Sequence, residues 1–185
     1  MHNINAEIVY FLQSVTGMWH WLDRFVVMLT SYAVQWAVFG LTLFYVYVSV
    51  PAARQPFDRL ARLARLLEGV FSMVVLWFVV TVLKIVTAVP RPFEVLPNIV
   101  QLVHEVSGQS FPSGHAAMAL GLATIIYIHH QRLGIALYIF AFLVGISRIY
   151  VGVHYPIDVV FGFALGYIVP TLIHKGFWRT PRPLL

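Results

Sequence analysis

Long stretches of this chain carry almost no charge, and that feature limits the available folds more than any other. Phe25 to Val50 holds no charged residue, and Val70 to Val89 is interrupted only by Lys84. A helix needs ~20 apolar residues to cross ~30 Å of hydrocarbon, where every backbone N–H and C=O must bond within its own segment. The stretches therefore predict membrane-spanning helices. Composition agrees, because 10% of the 185 residues are charged, against roughly a quarter in soluble domains.

Three further spans are predicted, from Pro112 to just before His129, from Leu133 to about Val151 and from Pro156 to about Ile173. Near the start, Ile8, Phe11, Leu12, Val15, Trp19 and Leu22 recur three or four apart. That pattern fits a short helix lying in the membrane interface, or an early turn of the first span. Prolines, Asn98 and Gly108 make Pro90 to Phe111 a loop. The expected fold is an all-α integral membrane bundle of about five transmembrane helices plus a short N-terminal interfacial helix, one domain over residues 1–185. No signal peptide is expected, since the first apolar stretch has neither a basic flank nor a small-residue cleavage site.

The net charge of +5 does not point to nucleic acid, because the basic residues form no stripe with interleaved aromatics. They cluster at the ends of apolar segments. With five spans, Arg54, Arg59, Arg62, Arg65, Arg132, Lys175, Arg179 and Arg182 share one side, eight of the twelve. The richer side is cytoplasmic by the positive-inside rule. The connector arginines, 54 to 65, read as this topology signal, and His129 and His130 as interface residues at an inner turn. Arg24, Lys84, Arg91 and Arg148 fall on the outer side. The chain has no cysteine, which removes disulfides, thiolate metal sites and cysteine nucleophiles.

Three motifs converge on the outer side. Lys84 to Pro92 reads KIVTAVPRP, Pro112 to His115 reads PSGH, and Ser147 to Asp158 reads SRIYVGVHYPID. Together they resemble the three-part signature of the type-2 phosphatidic acid phosphatase superfamily, KxxxxxxRP, PSGH and SRxxxxxHxxxD, with no signature position substituted. The resemblance covers about residues 84 to 166.

The residue chemistry points the same way. Phosphoryl transfer spreads negative charge over equatorial oxygens, which calls for fixed cations and N–H donors. Lys84, Arg91 and Arg148 supply the cations. Ser113, Gly114 and His115 open an apolar helix, where backbone N–H groups face an anion and a Ser hydroxyl can donate or cap. His154 precedes a helix beginning at Pro156, and Asp158 in its first turn is placed to orient the imidazole. Three cations repel a divalent ion, so no metal and no cofactor is expected at this constellation.

The resemblance implies that His154 is the nucleophile forming a phosphohistidine, that His115 protonates the leaving oxygen, and that Asp158 orients His154. It assigns Lys84, Arg91, Ser113, Gly114 and Arg148 to the substrate phosphate. It implies a lipid phosphatase of the inner or plasma membrane, with its site on the periplasmic or extracellular side. Small size and five spans look most like the bacterial undecaprenyl diphosphate phosphatases. Phosphatidylglycerophosphate, phosphatidic acid or lipid A phosphatases and lipid phosphotransferases share the same signature. A lipid-binding or transport protein without turnover is the reading from another class; intact His154 and Asp158 speak against it. The sequence sets no oligomeric state.

Overall fold

The computed structural model describes residues 4–30, 40, 56–104 and 108–177. Every regular element in it is helical. They are α1 (Ile4–Gln13), α2 (His20–Thr30), α3 (Pro56–Thr87), α4 (Pro92–Val95), α5 (Gly114–His129), α6 (Gln131–Tyr150) and α7 (Pro156–Phe177). Most of the predicted first span, Phe25 to Val50, lies outside the described residues, as do Arg54, Arg179 and Arg182.

Among the described residues, three helices are long and apolar enough to cross a bilayer, lying within Ala64–Val95, Gln131–Tyr150 and Pro156–Gly176. α5 is equally apolar but has 16 residues, about 24 Å at ~1.5 Å per residue. It is the central helix, packed on α3, α6 and α7. An apolar helix without a polar face has to be enclosed, and small residues Ala116, Ala117 and Ala123 let its neighbours approach. Outward-facing surfaces are apolar as well. Val74, Trp77 and Phe78 on α3, Ile139 and Phe142 on α6, and Leu172 on α7 are exposed. Buried residues include Arg91, Arg148, His115, His154 and Asp158. An exposed apolar surface around enclosed charges is the pattern of a bundle whose solvent is lipid.

Two expectations need correction. The basic segment before the second span is not a separate connector, because α3 starts at Pro56 and carries Arg59, Arg62 and Arg65 as helical residues. With no proline or glycine between Phe57 and Glu68, nothing interrupts the helix there. The N-terminal pattern is also not one helix. Gly17 adopts φ +82°, which breaks the chain between α1 and α2. The Asp23 side chain then accepts from the Gly17 N–H at 3.1 Å, closing the turn.

Gly162 and Gly166 pack inside the chain. A Cβ on Gly162 would lie 2.6 Å from the Ser113 carbonyl oxygen, and one on Gly166 would lie 2.5 Å from that of Ala117. The glycines let α7 touch the backbone of α5 directly below the PSGH motif. Gly162→Ala should therefore destabilise the fold by about 1–3 kcal/mol, the range for overpacking. Thermal unfolding in detergent, alongside Gly176→Ala where a Cβ meets nothing within 4 Å, measures it.

Candidate active site

All three motifs meet at one end of the bundle, where α3 finishes and α5 and α7 begin. α3 delivers Lys84 in its last turn. Its Nζ donates to the Gln109 carbonyl at 2.7 Å, which draws the loop before α5 down onto α3. The same lysine passes beside Gly114, where a Cβ would come within 3.8 Å of Lys84 Cε. Gly114 therefore leaves the backbone open beside a cation.

Arg91 precedes the short helix α4. Its backbone N–H donates to Glu94 Oε2 at 2.8 Å, and its Nη1 donates to the Val153 carbonyl at 3.2 Å. That second bond ties the KxxxxxxRP segment to the residue before His154. Arg148, in the last turn of α6, is 1% exposed. Its Nη1 donates to Thr30 Oγ1 at 2.6 Å, a contact across 118 residues of chain. Burying an ion costs several kcal/mol unless a counter-charge or hydrogen bonds offset it.

Ser113 stands at the N-cap of α5, but its hydroxyl does not cap the helix. The side chain is wholly buried and its Oγ makes no hydrogen bond. Its own N–H donates to the Asp158 carbonyl at 3.0 Å, fastening the start of α5 to the first turn of α7. His115 follows, buried, within the fields of Arg148, His154, Arg91 and Lys84. The two histidines and three cations thus act on one another within a single pocket.

His154 lies in the short connection between α6 and α7 and is 1% exposed. Asp158 sits one turn later, its Oδ2 3.5 Å from His154 Nδ1. That carboxylate oxygen also accepts from the Tyr155 N–H at 2.8 Å and from the Ser110 hydroxyl. Ser110 Oγ is in turn 3.4 Å from His154 Nδ1. Nδ1 therefore faces the hydroxyl and the carboxylate, and Nε2 is the ring nitrogen on the other side. Burial holds the His154 imidazole well below its ordinary 6.5. Arg148, Lys84 and Arg91 push it the same way, while a hydrogen bond with the Ser110 backbone opposes them.

Eight residues singled out in the sequence, Lys84, Arg91, Ser113, Gly114, His115, Arg148, His154 and Asp158, thus surround one site. Residues 65–182 match the PAP2 superfamily description. The chain belongs to the PAP2 superfamily. Over 97% of its length this PAP2 chain is 27% identical to the bacitracin transport permease protein BcrC of Bacillus licheniformis, covering 82% of that protein. It is 36% identical to the undecaprenyl-diphosphatase BcrC of Bacillus subtilis over 46% of its own length and 44% of the relative's. The Aquifex aeolicus LpxE crystal structure superposes with a TM-score of 0.74 at 26% identity, covering 94% of this chain and 96% of that one.

Ser110 and Thr30 were not anticipated. Ser110 lies in a loop without periodicity, and no short-range pattern links Thr30 to Arg148. The N-terminal segment is also nearer the site than expected. Gln13 donates to the Tyr150 carbonyl at 2.6 Å and accepts from the Val100 N–H at 3.0 Å. Tyr150 OH donates to Asp23 at 2.6 Å. Between α3 and α5, Glu94 is engaged with the Arg91 N–H, and Glu105 lies outside the described residues.

Proposed function

We propose that this chain is a lipid phosphatase that hydrolyses a polyprenyl diphosphate, undecaprenyl diphosphate by first choice, through a phosphohistidine on His154. The observation that carries the reading is His154 itself, held beside Asp158 and Ser110 on its Nδ1 side within the field of three buried or half-buried cations. A site built only to bind an anion has no need of an oriented imidazole.

In the proposed cycle, the substrate phosphate is held by Lys84, Arg91, Arg148 and the N–H groups at the start of α5. His154 Nε2 attacks phosphorus, and the bond from phosphorus to the lipid-side oxygen breaks. His115 gives its proton to that oxygen. Water, losing a proton to His115, then attacks the phosphohistidine and releases inorganic phosphate, restoring both imidazoles. Three cations against the Asp158 carboxylate leave the pocket positive, and the phosphate completes the balance. No step calls for a metal, since the positive charge comes from side chains.

The undecaprenyl-diphosphatase relative supports the choice of substrate. An outward-facing site is supported by Arg65, Arg132 and Lys175, which lie toward the other end of the bundle, beside Glu68, His129 and His174. A phosphate-release panel on purified protein tests the substrate, using undecaprenyl diphosphate, phosphatidic acid, phosphatidylglycerophosphate and lipid A. A clear rate advantage for the polyprenyl diphosphate is expected. A preference for one of the others would move the assignment to that lipid, and no release from any would remove it.

The pH dependence has a definite sign. An ordinary histidine is half protonated near 6.5, and protonated His154 is no nucleophile. Because its folded value is depressed, it stays neutral as pH falls past 6.5 and is lost only lower. The acid limb of kcat/KM should therefore lie below the ordinary imidazole range, and Arg148→Met should move it upward.

A further inference from the structure

The three helices that deliver the phosphate site also carry a second cluster, at their opposite ends. Glu68 lies sixteen residues before Lys84 on α3, His129 fourteen after His115 on α5, and His174 sixteen after Asp158 on α7. At ~1.5 Å per residue each is about 21–24 Å from its partner in the pocket. His174 Nδ1 is 2.7 Å from Glu68 Oε1, and His129 Nε2 is 3.8 Å from Glu68 Oε2. The two imidazoles meet edge to face, with ring centroids 5.7 Å apart.

We propose that Glu68, His129 and His174 form a binding site for a divalent transition metal of the zinc class, which clamps α3, α5 and α7 together at the end remote from the phosphate pocket. One ligand atom from each residue lies within 4.8 Å of the others. A zinc ion with bonds of ~2.0–2.2 Å holds its ligand atoms about 3.3 Å apart, so small side-chain rotations bring all three into register. Two imidazoles and a carboxylate are a donor set that zinc, cobalt and nickel accept, with a further position left for water.

A plain hydrogen-bonded clasp accounts for less of the geometry. Glu68 is 3% exposed, and its Oε1 is served by His174. His129 Nε2 is buried and makes no hydrogen bond, although the carboxylate is only 3.8 Å away. At 3.8 Å the two atoms are too far apart for a hydrogen bond, and a cation between them would join each by a bond. Arg65 also acts on His129, but its side chain is exposed. Two other cations at this end, Arg132 and Lys175, are exposed, whereas Arg91 and Arg148 in the phosphate pocket are buried.

The test uses the full chain in detergent, freed of any polyhistidine tag and stripped with chelator. Cobalt(II) is titrated while visible d–d absorption is recorded, and zinc is then added as competitor. One equivalent of cobalt should produce bands of a coordination number below six, and zinc should abolish them. His129→Ala and His174→Ala should each weaken binding by more than about tenfold, since loss of even an outer partner costs 10–100-fold. His130→Ala, one residue away and outside the cluster, should bind as the unaltered chain does. Should a variant fail to fold, the unaltered protein still decides, because zinc should shield His129 and His174 from acylation by diethyl pyrocarbonate, read by mass spectrometry. A hexa-aquo cobalt spectrum, equal affinity after His129→Ala, or unshielded histidines would overturn the proposal. Phosphate release should survive chelation, which keeps this test separate from that of the phosphatase reading.

Discussion

Replacing His154 by alanine should lower the rate of phosphate release by on the order of 10⁴–10⁶, while the protein still inserts and unfolds at a similar temperature. That range is what loss of a covalent nucleophile costs in enzymes whose remaining groups still bind substrate. The substitution deletes the imidazole whose Nδ1 side faces Ser110 and Asp158. His115 is no substitute, because it is carried by α5 and not by the connection between α6 and α7. Single-turnover assays with labelled substrate give the rate, and acid-labile label on the protein reports the phosphohistidine. Label retained after His154→Ala, or turnover within tenfold of the unaltered chain, would remove this mechanism.

Asp158→Asn should cost nearly as much, about 10³–10⁴ in kcat, with a small effect on KM. An amide of the same shape keeps the packing of α7 but replaces an acceptor with a group that also donates, which favours the wrong imidazole tautomer. In serine-protease triads the equivalent exchange costs about 10⁴. Three hydrogen-bonding groups converge on this carboxylate: the Ser110 hydroxyl, the Tyr155 N–H and His154 Nδ1. Ser110→Ala separates positioning from charge, since it leaves the carboxylate in place. It should lower kcat less than Asp158→Asn does and shift the acid limb of the pH profile. A loss in KM alone would mean that Asp158 serves substrate binding and not the chemical step.

The site was legible in the sequence to the extent that its residues sit at helix starts and ends. PSGH opens α5, Lys84 closes α3, and Pro156 marks the first turn of α7, so local rules brought the candidate residues to one end of the bundle. Ser110 and Thr30 depend on how a loop and a distant helix fold back, and no periodicity encodes that. Glu68 was missed for another reason. It follows Arg65 and was absorbed into a segment taken as a basic connector, whereas α3 is continuous there. Its sixteen-residue spacing from Lys84 equals that from Asp158 to His174 and is two more than that from His115 to His129, and that near-match was available in the sequence.

The contact between Thr30 and Arg148 has a consequence for comparing relatives. The superfamily description matches from residue 65, so the hydroxyl that seats a signature arginine comes from outside the residues that description covers. The family motifs alone therefore do not specify what holds this guanidinium. Differences in head-group preference are then best sought by exchanging the first thirty residues between homologues, leaving the signature untouched.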